Sequence, residues 1–366
     1  MSKVNRCPCG DYSRQRDCPK CKTIIMPSAI EVDRKLAKAA GEANAAGTKY
    51  KQALKEIERL ERSLGIAEAL RGCDAPTRIV AKASGGTNEA TAMLVASDWH
   101  VEERVDPDTI NGVNEFNLEI ARRRATRFWT AGNRLIKMFK QDVKIPTIVV
   151  PLLGDFISGQ IHGAENAENN LLLPTDAICF AQDLLVGGLE YTMAEHPDSQ
   201  IIVVGMGGNH SRTTPKTRLG GTENGHSWEY LMYLHMATYF RHLPPERITF
   251  SVPRGYHHYM DIYNQTVRLH HGHRLKFGGG RGGLFTPTYD SVDKWNKTKW
   301  ADLDVFGHFH QMRDGGNFVC NGSLIGYNAF AESIRASYEP PMQTLLLFDR
   351  KRGRTALWPV YVEGSK

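Results

Sequence analysis

No stretch of the chain holds the ~18 consecutive apolar residues that a membrane-spanning helix requires, and no basic-then-apolar secretory pattern opens it. A membrane partner is therefore not expected, and a soluble, cytoplasmic protein is. Cysteine is scarce where a disulfide framework would need it. Four of the seven crowd into the first 21 residues, and Cys73, Cys179 and Cys320 stand alone as structural or incidental thiols. No internal repeat is evident. Beyond residue 72 there is also no excess of either charge: of 46 Lys/Arg and 40 Asp/Glu, 15 and 9 lie in residues 1–72, so residues 73–366 carry 31 of each. Electrostatic attraction to nucleic acid is thus expected from the N-terminal segment rather than from the average field of the rest.

What that segment does hold is a C-x-C-x8-C-x2-C array made of Cys7, Cys9, Cys18 and Cys21. Two close thiol pairs joined by a short polar loop can meet at one tetrahedral Zn²⁺, and a segment too small for its own core would draw folding energy from the ion. Residues 1–24 are therefore expected to form a zinc-ribbon-like unit, with a redox pair or unpaired thiols as the alternative. Arg6, Arg14, Arg16, Lys20 and Lys22 surround the array, as a nucleic-acid contact or as a solvated surface.

Residues 25–72 read as helix. Val32, Leu36, Ala39, Ala43, Ala46, Tyr50, Ala53, Ile57, Leu60 and Leu64 recur at alternating spacings of four and three. That period fits a coiled-coil seam, and so self-association through residues 30–70, or else one helix lying on the domain that follows. Residues 73–91 read as a linker.

From residue 92 to 366, apolar strand-like runs alternate with amphipathic helices, the pattern of an α/β domain. Helices are expected near 115–141, 170–195 and 225–242. The first gathers Leu118, Ala121, Ala125, Phe128, Leu135 and Phe139 on one stripe. The glycine-rich stretch 277–289 lacks the strand–GxxxxGK[ST]–helix order of a phosphate loop.

Five motifs follow the strand-like runs. AMLVAS precedes Asp98-Trp99-His100, and PTIVVPLL precedes Gly154-Asp155. IIVVGMG leads to Gly208-Asn209-His210, QTVRL to His270-His271-Gly272-His273, and LDVF to Gly307-His308-Phe309-His310. Ligand sites in α/β sheets form beyond the carboxyl ends of strands, so five such loops can share one pocket. Their carboxylate, amide and imidazole groups suit Mn²⁺, Fe²⁺ or Zn²⁺. The adjoining glycines are expected to make the sharp turns. Singly each motif is weak; the ordered set carries the reading.

In the order DxH, GD, GNH, HGH, GHxH, the set resembles the calcineurin-like metallophosphoesterase superfamily over about residues 92–362. The resemblance implies a four-layer α/β/β/α sandwich with a dimetal centre. Asp98, His100 and His310 would hold one divalent ion, Asn209, His271 and His308 the other, with Asp155 bridging them. His210 would stand beside them as general acid or electrostatic stabiliser. Manganese is the implied metal, with iron or zinc as alternatives. Two such ions clamp phosphoryl oxygens and activate a water for in-line attack, while imidazole protonates the leaving alkoxide. Two departures stand out. Ser211 occupies the place where the family usually has Asp or Glu, so His210 lacks a carboxylate neighbour in sequence. FISG follows the GD motif, without the Asp-Arg continuation of the protein Ser/Thr phosphatases, which argues against a phosphoprotein substrate of their kind. His271, next to glycine, is the preferred fourth-motif ligand, with His270 and His273 as alternatives.

The expected activity is hydrolysis of phosphodiester bonds in DNA or RNA. The long motif spacing resembles the SbcD-type repair nucleases, the cysteine array is basic, and a dimerising helix would bring two sites to one partner. The alternatives are a phosphodiesterase or phosphatase acting on nucleotides or other small molecules, and a non-catalytic nucleic-acid-binding scaffold.

Overall fold

A computed structural model describes residues 29–71, 88–161, 168–219, 223–276, 278 and 283–364. The expected zinc ligands Cys7, Cys9, Cys18 and Cys21 lie outside these residues, as do most of the linker and part of the glycine-rich loop. The chain divides into two units, residues 1–84 and 85–366.

In the first unit, α1 (Ala29–Arg71) is one uninterrupted helix of 43 residues. Alanine and straight-chain residues dominate it, so little rotamer freedom is lost on forming the helix. Gly41 and Gly47 weaken it by about 1 kcal/mol each without breaking it. Every residue from 30 to 61 is exposed.

The second unit is built on two sheets. Strands β1 (Glu89–Val95), β2 (Lys144–Leu152), β3 (Gln200–Gly205) and β4 (Ile248–Ser251) run parallel. The antiparallel strands β10 (Met342–Asp349) and β11 (Gly353–Tyr361) extend the sheet beyond β1, giving the order β11-β10-β1-β2-β3-β4. The other sheet has the order β5 (His258–Ile262), β6 (Gln265–Leu269), β7 (Leu303–Phe306), β9 (Phe318–Cys320), β8 (Arg313–Asp314).

Alternation along the strands sorts side chains into separate cores. Ala92 and Leu94 of β1 join a core shared with α2 (Leu118–Phe139), α3 (Pro174–Glu195) and α4 (Trp228–Tyr239). Met93 and Val95 point the other way, into a core shared with Val267, Leu269, Leu303 and Val305 of the second sheet. The outer face of that sheet packs Phe306 and Phe318 with Leu284, beside α5 (Phe285–Asn296). The result is a helix/sheet/sheet/helix sandwich, the layering expected. Strands covered on both faces read as nearly continuous apolar runs.

Strand β1 begins at Glu89, inside the stretch read as linker. Helix α2 starts later than 115 because the Asn117 side chain accepts the Ile120 amide at 3.0 Å and caps it there. Its stripe is buried at Ala121, Ala125 and Phe128. Arg124, in the same helix, is also buried, which the stripe did not anticipate. It donates to the Leu324 and Ile325 carbonyls and to the Asn114 side chain, and pairs with Glu363 at 2.7 Å, tying α2 to the C-terminal segment. Among the described residues, no helix is long and apolar enough to cross a membrane.

Candidate metal centre

The loops after β1, β2, β3, β6 and β7 meet at one end of the sandwich. The Asp98 amide donates to the Gly154 carbonyl at 2.9 Å and the His100 amide to that of Asp155 at 3.2 Å. On the second sheet the Gly307 amide donates to the His271 carbonyl at 2.9 Å. The turns themselves are made by the donor residues. Asp98, His100, Asp155, His308 and His310 all have left-handed backbone, with φ of 56°, 47°, 54°, 72° and 55°. Such residues cost about 1–3 kcal/mol each and persist where the surrounding structure over-determines them. The glycines expected to make the turns do so only in part. Gly154 has φ +88°, but a Cβ on Gly208 would collide with the Asp155 carboxylate, and one on Gly307 with that of Asp98. Those two positions need glycine for close approach.

The ligating atoms of Asp98, His100 and His310 lie within 4.8 Å of one another, and so do those of Asp155, His271 and His308. In the first group, His100 Nε2 is 3.1 Å from His310 Nε2, and His310 Nε2 is 3.5 Å from Asp98 Oδ1. Two ring nitrogens facing one another this closely share at most one proton, and Asp98 stands beside them at ligand spacing. The far side of His100 is fixed: Nδ1 donates to Ser158 Oγ at 2.8 Å, and that hydroxyl donates to Glu103 at 2.8 Å. The proton is therefore held on Nδ1, and Nε2 presents its lone pair to the site.

In the second group, His271 Nδ1 donates to the Leu153 carbonyl at 2.7 Å, while Nε2 lies 2.8 Å from Asp155 Oδ2 and 3.0 Å from Asn209 Oδ1. The His308 amide donates to Asp98 at 2.9 Å, so the two groups are joined through their backbone as well. His270 points elsewhere: it stacks on Phe306 and lies 3.3 Å from Asp304. His273 lies 3.0 Å from Glu223. Strand parity separates His271 from His270. Val267 and Leu269 face the core between the sheets, so residue 271 continues that side, whereas residue 270 continues the side of Arg268.

His210 is half-buried, with its ring centroid 4.8 Å from that of His100. Its amide donates to Asp155 Oδ1 at 2.8 Å, and its Nδ1 donates to the Ser158 carbonyl at 3.0 Å. A backbone carbonyl thus orients the ring where the sequence offers no carboxylate. His210 also forms a ligand-spaced group with His100 and Asp155.

Burial alone would raise the Asp155 carboxyl, but the His271, His210 and His100 imidazoles hold it well below the usual carboxylate range. Burial depresses His271, yet the facing Asp155 lifts it to about 9. Burial, reinforced by neighbouring imidazoles, holds His100 and His308 well below 6.5. Burial likewise depresses His310, but the hydrogen bond and charge of Asp98 raise it overall. The centre therefore combines an ionised Asp155 with neutral imidazoles at His100 and His308, the states that ligate cations, whereas at His271 and His310 a cation would compete with a proton. Donor type, fixed tautomers and spacing all fit two divalent ions.

Sequence reasoning missed the residues that brace the loops. Glu229 of α4 is fully buried and accepts from the Phe156 amide at 2.6 Å, the Gly208 amide at 2.8 Å and Ser211 Oγ at 3.0 Å, binding the GD and GNH loops together. Glu102 accepts from the Ser158 and Gly159 amides, each at 2.8 Å. Burial pushes both carboxyls up to about 7. Glu102 and Glu103 follow the DxH motif after Val101 and were findable as acids adjoining a donor loop. Nothing in the spacing marks Glu229.

No protein-family model matches the chain, and no curated protein does. Among solved structures, a single mutant of Vps29 from Entamoeba histolytica is 12% identical, covers 74% of this chain and 99% of its own, and has a TM-score of 0.27. A hypothetical protein from Pyrococcus horikoshii is 14% identical, with coverages of 77% and 90% and a TM-score of 0.32. A dimetal phosphatase from Danio rerio is 10% identical, with coverages of 75% and 99% and a TM-score of 0.31. At TM-scores this low, functional assignment rests on the chain's own residues.

Proposed function

We propose that the chain is a dimetal phosphoesterase whose substrate is a phosphodiester of DNA or RNA. The observation that carries the reading is the convergence of seven donors, Asp98, His100, Asp155, Asn209, His271, His308 and His310, from strand ends of two facing sheets. Asp98, His100 and His310 would hold one ion, Asn209, His271 and His308 the other, and Asp155 both. Divalent ions held there supply the positive charge that neutralises phosphoryl oxygens and lowers the pKa of a water. The chain's own part is proton placement. With Nδ1 fixed on the Ser158 carbonyl, His210 uses Nε2 to deliver a proton to the departing alkoxide. The loop that follows carries Arg212, Lys216 and Arg218 before its first acid, Glu223, which favours a polyanionic substrate.

Turnover of bis-p-nitrophenyl phosphate with Mn²⁺, Fe²⁺ or Zn²⁺ tests the reaction class, and a panel of single-stranded DNA, duplex DNA, RNA and cyclic nucleotides tests the substrate. Two bound ions without turnover of any diester would sink the phosphodiesterase reading. Hydrolysis of cyclic nucleotides alone would move the substrate to small molecules.

A further inference from the structure

Helix α1 carries a seam of large apolar side chains exposed to solvent: Leu36 at 62%, Tyr50 at 67% and Ile57 at 49%. We propose that this seam pairs with a second copy of α1, antiparallel, about a centre between Asn44 and Ala45. The heptad places Leu36, Ala43, Tyr50 and Ile57 at one core position and Val32, Ala39, Ala46, Ala53 and Leu60 at the other. Antiparallel pairing about that centre sets Leu36 against Ala53, Tyr50 against Ala39, Val32 against Ile57 and Ala43 against Ala46. Large side chains meet small ones on either side of an alanine centre, which lets the layers interdigitate. A parallel pair would set Tyr50 on Tyr50 and Ala43 on Ala43.

The flanking charges select the same orientation. Lys35, Glu42, Lys49 and Glu56 occupy successive positions beside the seam, alternating in sign. Antiparallel, Lys35 faces Glu56 and Glu42 faces Lys49, and two-fold symmetry makes each pair occur twice. Parallel, Lys35, Glu42 and Lys49 face Ala40, Gly47 and Leu54, while Glu56 faces Glu61 and repels it. Within their own helix the two acids already lie 4.0 Å from Lys38 and 3.2 Å from Arg59. Gly47 fits the pairing as well. Among the described residues, nothing lies within 4 Å of where its Cβ would be, so no contact there requires glycine. At the crossing, Gly47 would lie opposite Ala40 of the other copy, where small residues allow close backbone approach.

The test is sedimentation equilibrium of the full chain. It should be dimeric, with Lys35→Glu and Glu56→Lys each weakening the dimer about ten-fold in Kd and the double exchange restoring it. A chain still monomeric at roughly 0.1 mM overturns the proposal. So does a dimer indifferent to Lys35→Glu and tightened by Glu56→Lys, the signature of parallel pairing. Diester turnover in these variants is a separate readout and should not change, so failure here leaves the phosphoesterase reading untouched.

Discussion

On the six-stranded sheet, acids brace the donor loops: buried Glu102 and half-buried Glu103 act through Ser158, and buried Glu229 through Phe156, Gly208 and Ser211. On the five-stranded sheet the buried polar network faces away from the donors. There Arg268 makes a two-point ion pair with Asp304 at 2.7 and 2.8 Å, and His270 leans on the same carboxylate. His271 is oriented instead by Leu153, a residue of the opposite sheet's loop. Two networks of similar burial thus serve different ends. One reaches the donors directly; the other holds the strands that deliver them.

Asp155→Asn strikes where the two sheets meet and should have the largest effect. A neutral amide between His271, His210 and His100 loses the charge that joins both groups, so turnover should largely vanish while apolar packing persists. Two bound ions and retained turnover, measured by elemental analysis and diester hydrolysis, would refute the ligand assignment. His210→Gln should lower turnover by about 10²–10⁴ with metal content near two ions. Loss of one ion instead would move His210 into the ligand shell.

Ser158→Ala sharpens the comparison, because it removes the hydroxyl between His100 and Glu103 but leaves the carbonyl that orients His210. Metal affinity should fall by about 10–100-fold at one site only, read by titration calorimetry. Equal weakening of both sites would break this division of labour. Asp304→Asn addresses the other network. Leaving Arg268 buried and unpaired should cost about 3–5 kcal/mol in denaturant unfolding, with turnover per folded molecule unchanged.

The last effect is pH-dependent. Burial raises Glu102 from 4.5 to about 7. A carboxyl whose value rises on folding contributes stability that is full below 4.5 and is lost as pH climbs through about 7. Glu102→Gln keeps an acceptor for the Ser158 and Gly159 amides but does not titrate. Between pH 4.5 and about 8, relative stability should therefore shift toward the variant by up to about 3 kcal/mol, followed as Tm. A pH-independent difference would show that Glu102 ionises normally.

Much of the candidate centre was legible because each of its residues follows a strand whose apolar run is unmistakable. Parity from Val267 and Leu269 even singles out His271 over His270 without coordinates. Parity fails at Asp98 and His308, where left-handed backbone resets the alternation. Arg124 and Glu229 were illegible for a related reason: each sits in a helix where a charged residue ordinarily faces water, and only distant chain segments supply the partners that permit burial.

By itself the sequence determined the local quantities: the long helical period of α1, the strand runs, the donor types and the order in which they arrive. Those follow from side-chain chemistry and spacing along a single element. Which donors meet, which tautomers they hold and which acids stand behind them were decided by the packing of one sheet on the other. A ligand-spaced group brings Asp98 to His310 across more than 200 positions of chain, and no local preference encodes such a separation.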